Sequence, residues 1–422
     1  MSVLSHGLVV TTYFPQDASF AHGVYRRLDV LMEALSSACE RLTVLVFVWS
    51  ERPYSEAERA EYERYLSRRW STSISLRLSA TKDRPRPGRR VSGLLGGMVS
   101  FARTDPASRL RNAGAAAALA AALAEGPQIV LVHRLEAMSV VLRQPRDAIR
   151  GRLYFDLDDV EHVAQFRRLL REPEWPTERV RLLHVPAVMA GEAAAIHRAT
   201  ATFVCSDHDR RYLERLFLTR SVRVVPNAAA IDADPPVPSA EPVVLFVGAF
   251  DFSPNAHAAG HLVGRIWPAV RRRVPDARLF VVGRCPDYIP GYAEARRDET
   301  IAFTGFVDDI RAYYARTRVV CCPIRVGAGT RVKIIEAAGV ARPVVTTPLG
   351  AEGLDFADGD EIVLRRDDDA IAAACCDLLV DGGRAARIGE AAWRKARAVY
   401  DRKAVVRLLR GVFAGDGERV VA

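Results

Sequence analysis

The sequence lacks any long uninterrupted apolar segment. Across its 422 residues, no run approaches the roughly 18–20 apolar residues that a membrane-spanning helix needs. The first residues also lack the basic, apolar and small-residue order of a signal peptide. Hydrophobic residues nevertheless make up 49% of the chain, a share typical of a folded soluble protein. These absences indicate a cytoplasmic protein.

Cysteine is scarce and shows no ligand spacing. No pair reads Cys-x-x-Cys, and none is spaced with histidine as in a metal site. Free thiols in apolar surroundings behave as small hydrophobic side chains. We therefore predict buried, reduced thiols, as expected in a reducing compartment. The seven cysteines are Cys39, Cys205, Cys285, Cys321, Cys322, Cys375 and Cys376.

Aromatic residues are also few, at 8% of the chain, and they form no stacking platform beside the basic stretches. The formal net charge is +9, but basic and acidic residues alternate, as in residues 56–69, which is typical of a solvated face. Nucleic-acid binding is therefore not predicted. One short basic run, containing Arg167, Arg168 and Arg171, supports the hypothesis of peripheral contact with an anionic membrane surface.

Length and strand–helix alternation predict two α/β domains. A chain of this size exceeds the roughly 250–300 residues of a single core. Apolar runs at residues 7–12 and 42–48 flank a helical pattern at residues 25–38, which forms a βαβ unit with parallel strands. We predict an N-terminal domain at residues 1–226, a proline-rich linker at 227–242 and a second domain at 243–399. Both are Rossmann-like doubly wound parallel sheets, and a ligand is expected in the cleft between them.

The most informative segment is residues 323–353. A strand ends at Pro323, and a turn containing Gly327, Gly329 and Thr330 leads into a helix at about Arg331. Glycines allow close backbone approach, and a helix N-terminus attracts phosphate. Two cations and one carboxylate follow, and together they suit a nucleoside diphosphate: Arg331 and Lys333 for the phosphates, and Glu336 for the ribose hydroxyls. In the alternative interpretation, the glycines only turn the chain and Glu336 pairs with an arginine.

This segment resembles the nucleotide-sugar signature of the retaining GT-B-fold glycosyltransferases (family 4-like, group 1), in a subgroup with Gly-Thr-Arg-x-Lys-x-x-Glu. The resemblance is convincing from residue 225 onward and covers the N-terminal half in outline. Other stretches agree in order and spacing: Val225-Pro226-Asn227, Leu245-Phe246-Val247-Gly248, Phe280-Val281-Val282-Gly283, Thr304-Gly305-Phe306-Val307 and the loop glycine Gly23.

The resemblance implies a retaining hexosyl transfer from a UDP- or GDP-type sugar to an acceptor hydroxyl. The nucleotide sugar is then a substrate, and neither a cofactor nor a divalent metal is required, since Arg331, Lys333 and the helix N-terminus neutralise the leaving diphosphate. The acceptor stays open among a glycan, a lipid-linked saccharide and a natural product. The implied C-terminal helix, at about residues 400–422, joins the N-terminal domain. The implied donor site comprises Gly23, Gly248, Phe306, Val307, Gly329, Thr330, Arg331, Lys333 and Glu336.

The chain also departs from the family pattern. Ala328 stands where the family often has the first glutamate of a pair, and the loop at residues 248–255 lacks the usual arginine and lysine. Many relatives place a histidine over the donor sugar, where this chain has Asp158. Asp156 and Asp158 either stabilise charge at the reacting centre or orient the acceptor hydroxyl. Alternatively, Asp158 and Asp159 cap the helix predicted at 160–170.

Three residues that end another strand, His133, Arg134 and Glu136, are candidates for the acceptor side. Three rival functions stay open beside the transferase. They are a sugar-nucleotide epimerase, a sugar phosphorylase and a catalytically silent binding partner.

Overall fold

The computed structural model describes residues 4–14, 23–48, 55–80, 113–171, 176–236 and 239–415. The described residues divide into two compact units. Unit 1 runs from the first strand to Val225 and includes the residues from Val406 onward, whereas unit 2 consists of Gly23 and the residues from Pro226 to Val405. Each unit is built around one fully parallel sheet.

Unit 1 contains a seven-stranded parallel sheet in the order β3-β2-β1-β4-β5-β6-β7. Its central strands are apolar on both faces, as expected for a parallel sheet that is covered by helices on both sides. The strands are β1 (Leu4–Thr11), β2 (Cys39–Val48), β3 (Ser73–Ala80), β4 (Ile129–His133), β5 (Arg152–Asp158), β6 (Ala201–Val204) and β7 (Val222–Val224).

Helices connect these strands, and the right-handed βαβ rule fixes the face on which each one packs. They are α1 (Gly23–Ser36), α2 (Glu56–Trp70), α3 (Ala113–Leu123), α4 (Leu135–Val141), α5 (Glu161–Arg171), α6 (Val185–Arg198) and α7 (Asp207–Phe217). Two 3₁₀ segments, Arg146–Ala148 and Pro176–His184, complete the described part of the unit up to Val225.

Unit 2 contains a six-stranded parallel sheet in the order β10-β9-β8-β11-β12-β13. Its strands are mostly apolar and have two to five residues, shortening towards the edge that β13 forms. They are β8 (Val243–Val247), β9 (Arg278–Val282), β10 (Ile301–Gly305), β11 (Val319–Cys322), β12 (Val344–Thr346) and β13 (Val363–Leu364).

The helices of unit 2 begin with α8 (Ser253–His261), which continues through a π turn at Leu262–Ile266 into α9 (Trp267–Arg273). A 3₁₀ turn lies at Pro286–Tyr288. The others are α10 (Tyr292–Ala295), α11 (Arg311–Arg316), α12 (Val332–Gly339), α13 (Asp368–Val380) and α14 (Gly382–Val399). The helix α15 (Arg402–Ala414) begins in unit 2 and ends in unit 1.

The α/β fold class is confirmed, and most predicted elements lie within a few residues of their observed bounds. The prolines and arginines of residues 79–90 predict an exposed connection, but this is wrong for Ser79 and Ala80, which end strand β3 and pair with β2. The rest of that connection, residues 81–90, lies outside the described residues. No helix in the described ranges is both long and apolar enough to cross a bilayer.

Candidate active site

The turn after β11 holds Arg331 at the entrance of α12. Gly327 and Gly329 have φ angles of 105° and 77°, a conformation that glycine adopts without steric cost. The turn brings its own carbonyls under the Arg331 guanidinium, whose Nη1 donates to the carbonyl oxygens of Ala328 and Gly329. The positive charge is therefore fixed at the first turn of the helix.

Lys333 is the second residue of α12, two positions after Arg331, and is partly buried. Its Nζ donates to Oδ1 of Asn255 at 2.7 Å and lies 4.7 Å from the centroid of the Phe246 ring. Burial lowers the pKa of Lys333 to about 8; Cys322 opposes this shift, and the charge of Arg331 adds to it. The side chain thus carries a cation that an incoming anion would stabilise.

Three glycines at the carboxyl ends of β8, β9 and β10 leave this edge of the sheet without side chains. A Cβ at Gly283, where φ is 147°, would lie 1.7 Å from the carbonyl oxygen of Gly248. The amide of Gly283 also donates to the carbonyl of Gly305 at 2.9 Å. A Cβ at Gly248 would lie 3.1 Å from Nζ of Lys333. Only glycine allows this approach, so the edge offers bare backbone beside the Lys333 cation.

The remaining predicted donor residues of unit 2 follow β10 or belong to the turn and helix that follow β11. Phe306 follows β10 and is 56% exposed, whereas Val307 packs against the core of the unit. Oγ1 of Thr330 accepts a hydrogen bond from Nδ2 of Asn227 at 2.8 Å, which ties the turn to the start of the unit. Glu336 is half-buried on α12, just over one turn beyond Arg331.

Replacing Glu336 with alanine is expected to weaken nucleotide-sugar binding by about 1.5–3 kcal/mol, the range for hydrogen bonds to a charged group. Titration calorimetry with the preferred donor measures this loss. Glu294→Ala, at an exposed glutamate of α10, is the matched control and should bind as tightly as the wild type. A folded Glu336→Ala variant with unchanged affinity would remove Glu336 from the donor site.

Asp156 and Asp158 end β5 in unit 1, and a register shift separates them. The pairing of β5 with β6 skips Leu157, and Asp158 has a φ of 64°. Bulges of this kind re-aim a side chain at the end of a strand. Both carboxylates are buried, with exposures of 0% and 5%, so each needs a partner of opposite charge.

Two arginines supply that charge. Arg27 of α1 binds Asp156 through Nε at 2.9 Å and Nη2 at 2.5 Å, and its Nε lies 3.4 Å from Asp158. Arg134 donates to Oδ2 of Asp158 at 2.8 Å and to Glu161 at 2.7 Å. Arg134 itself has a φ of 73°. Such backbone strain in a non-glycine residue is concentrated at functional sites.

Both oxygens of Asp158 are thus occupied by side chains rather than by helix amides. The Cys205 thiol donates to Oδ1 at 3.0 Å. Burial alone would raise the pKa of Asp158, but Arg27, Arg134 and the Cys205 hydrogen bond hold it below its ordinary value. Asp158 is therefore ionised at neutral pH.

The acceptor-side candidates adjoin this cluster. Nδ1 of His133 lies 3.1 Å from Oγ1 of Thr11, and burial lowers the pKa of His133 to about 3. The imidazole is therefore neutral, with Nε2 at 3.7 Å from Oδ2 of Asp156. Glu136 accepts a hydrogen bond from Oγ1 of Thr12 at 3.2 Å. Gly23, the remaining predicted donor residue, begins α1 and is exposed.

Three partners were missed by the sequence analysis. Arg27 lies on the buried face of α1 with Leu31 and Leu35. An arginine among apolar residues at this helical spacing indicates a buried acidic partner, so Arg27 could have been found from the sequence. Asn255 and Cys205 could not be found in this way, because their contacts with Lys333 and Asp158 join distant parts of the sequence. No group of three or more potential metal ligands occurs in the described portion of the chain.

Part of the chain is similar to a known protein family. Residues 241–381 match the family model described as Glycosyl transferases group 1. Over 141 residues, the chain is 35% identical to a GDP-mannose-dependent alpha-(1-6)-phosphatidylinositol monomannoside mannosyltransferase of Mycolicibacterium smegmatis. This match covers 30% of the chain and 37% of that relative, so the similarity spans little more than a third of the relative's length.

Solved structures match almost the whole chain. Sucrose-phosphate synthase of Thermosynechococcus elongatus is 17% identical with a TM-score of 0.68, covering 98% of this chain and all of that one. Anabaena HepE, solved in complex with UDP and glucose, is 14% identical with a TM-score of 0.64 and the same coverage. At these identities the match establishes the fold alone, and the predicted GT-B fold is confirmed.

Proposed function

We propose that this protein is a glycosyltransferase that moves a hexosyl unit from a nucleotide-diphosphate sugar to an acceptor hydroxyl. The observation that carries the proposal is the cluster at the start of α12. There, Lys333 lies beside the bare backbone of Gly248, and carbonyls of the preceding turn hold the Arg331 guanidinium. The cluster belongs to the segment that matches the group 1 glycosyl transferases.

The proposed donor site puts the diphosphate at the N-terminus of α12, where helix amides and two cations oppose its charge. Glu336 binds the ribose hydroxyls, and Gly329 and Thr330 line the sugar end. Phe306 and Val307 flank the base, and Gly248 and Gly23 allow close approach to the phosphates. As the bond to the leaving diphosphate breaks, Arg331 and Lys333 stabilise the negative charge that develops there.

We further propose that transfer retains the anomeric configuration. In this proposal the donor phosphate oxygen helps to accept the proton of the acceptor hydroxyl on the face from which the leaving group departs. The ionised Asp158 stabilises positive charge on the reacting sugar, and Asp156 holds Arg27 beside it. His133, Arg134 and Glu136 belong to the acceptor side.

The relatives support a GDP- or UDP-type donor. The mycobacterial relatives are described as GDP-mannose-dependent, and HepE was solved with UDP and glucose. We propose a GDP- or UDP-type donor for this chain and a glycan, lipid-linked saccharide or natural product as the acceptor. Nucleic acid is not a proposed partner.

Excess chelator is expected to leave the transfer rate unchanged, because protein cations and the helix N-terminus neutralise the leaving diphosphate in place of a metal. The measurement compares initial rates in EDTA with rates in added magnesium or manganese. Activity that vanishes in EDTA and returns with either metal would contradict the metal-independent mechanism.

A thermal-shift panel of uridine, guanosine, adenosine and thymidine diphosphate sugars tests the donor assignment. A ligand at a hundred times its dissociation constant adds about 2.7 kcal/mol to the free energy of unfolding, so its nucleotide class should raise Tm clearly. The Arg331→Ala variant should show little of this shift. The absence of any shift with all four nucleotide classes would refute the proposed donor site.

A further inference from the structure

Exposed apolar side chains are concentrated on one part of unit 1. Of the eleven large apolar side chains that are exposed in the described part of the chain, six lie between residues 166 and 218. Soluble proteins expose scattered apolar residues, but a concentration of them marks an interaction surface. These six are Phe166, Leu170, Leu183, Tyr212, Leu216 and Leu218.

The helices α5 and α7 that carry most of these residues are joined by His162. Its Nε2 lies 2.7 Å from the hydroxyl of Tyr212, and the two rings stack at 5.6 Å. Its Nδ1 contacts the buried carboxylate of Glu192, which fixes the ring. Phe166 lies one helical turn beyond His162, and Leu216 lies one turn beyond Tyr212. We call the exposed Phe166, Leu170, Tyr212 and Leu216 the α5/α7 patch.

Cations accompany the patch. A groove of about 570 Å³ along α7 is lined by His208, Arg211, Tyr212, Arg215 and Leu216, so guanidinium groups and apolar groups share one surface. Arg167 and Arg168 add positive charge on α5. Within α7, Asp207 pairs with Arg210 and Arg211, Glu214 pairs with Arg210, and the Asp209 carboxylate accepts a hydrogen bond from the Ser206 hydroxyl.

We propose that unit 1 docks on an anionic lipid bilayer through the α5/α7 patch. Apolar side chains flanked by arginines are the arrangement of interfacial helices, in which the apolar groups enter the acyl boundary and the cations contact lipid phosphates. The charge of the groove complements anionic lipid headgroups. This inference goes beyond sugar transfer and concerns only where the protein binds.

Vesicle co-sedimentation of the full chain tests the proposal. Binding is expected to vesicles containing about one-third phosphatidylglycerol and to be much weaker with phosphatidylcholine alone. The Arg211→Gln/Arg215→Gln variant should bind roughly 25-fold more weakly, which corresponds to about 1 kcal/mol for each basic residue near an anionic surface. Phe166→Ser/Leu170→Ser should weaken binding by about tenfold or more, because its apolar contribution is lost.

The matched control is Tyr288→Ser/Val380→Ser, which removes two apolar side chains of unit 2 that are even more exposed than Phe166 and Leu170. It should bind vesicles like the wild type, and circular dichroism should show all variants folded. Equal binding by patch and control variants, or no binding to anionic vesicles, would overturn the proposal. So would a dimer in sedimentation equilibrium that Phe166→Ser/Leu170→Ser dissociates, since the patch would then be a contact between two copies. The vesicle assay measures binding without sugar transfer. A failure of the proposed transferase activity would therefore not affect the test of membrane docking.

Discussion

Asp156→Asn is expected to lower the local free energy of unfolding of unit 1 by about 3–5 kcal/mol, the cost of removing one partner from a buried ion pair. Asp156 is fully buried, and its carboxylate binds Arg27 through Nε and Nη2. The substitution keeps the volume but removes the carboxylate that binds the buried guanidinium most closely, whereas the contact of Arg27 with Asp158 is longer, at 3.4 Å. Hydrogen exchange of α1 and β5 peptides in urea measures the loss within unit 1.

The double variant Arg27→Met/Asp156→Leu separates charge from packing. Because it removes both charges and keeps apolar volume, we expect it to recover more than half of the stability that Asp156→Asn loses. The exposed pair Glu390–Arg394 on α14 provides the control, and Glu390→Gln should cost less than about 1 kcal/mol. Asp156→Asn with wild-type exchange rates would show that the pair is not a structural element of unit 1.

Lys333→Met is expected to reduce kcat/KM by about 10²–10³-fold, the usual effect of removing one group that stabilises developing negative charge. The Nζ of Lys333 is held by Asn255 beside Gly248, so the methionine side chain fills similar space without the charge. Steady-state kinetics with the donor class identified in the thermal-shift panel measure the loss. Lys403→Met, at an exposed lysine of α15, should match the wild type.

The lowered pKa of Lys333 adds a pH dependence with a definite sign. The protonated side chain binds the diphosphate, and its pKa in the free protein is about 8. Donor affinity should therefore be full below about pH 8 and decline above it, because binding must then first supply the proton. In Lys333→Met this alkaline decline should be absent. A wild-type affinity that stays constant up to pH 10 would contradict the proposed contact.

The strands that could be predicted from the sequence are those that contain several consecutive apolar residues. β1, β4 and β8 contain consecutive apolar residues at 8–10, 129–132 and 243–247, because both faces of a parallel sheet are covered. β3 escaped prediction because it lies at the sheet edge and alternates polar residues, including Arg77, with apolar ones. The three-residue β7 is too short to show any period.

In the candidate site, too, the features that lie in one continuous stretch of sequence could be predicted, whereas contacts between distant residues could not. Residues 327–336 are contiguous, so the turn, the helix entrance and the positions of Arg331, Lys333 and Glu336 were all visible in one stretch of sequence. The partners of these groups were not, because Asn255 is 78 residues from Lys333 and Arg27 is 129 residues from Asp156. The positive φ angles of Arg134 and Asp158 were also unpredictable, since their strain is sustained by the contacts between them.

The division of α15 between the two units has a consequence for synthesis on the ribosome. Phe413, near the end of this helix, is fully buried in unit 1, where its ring lies 5.3 Å from that of Tyr154 and its carbonyl accepts from Arg152 at 2.6 Å. Residues 226–405 of unit 2 are translated in between. During synthesis, the apolar site in unit 1 that Phe413 fills therefore stays unfilled until residues 226–405 have been translated. Chaperones that bind exposed apolar surface have that interval in which to act.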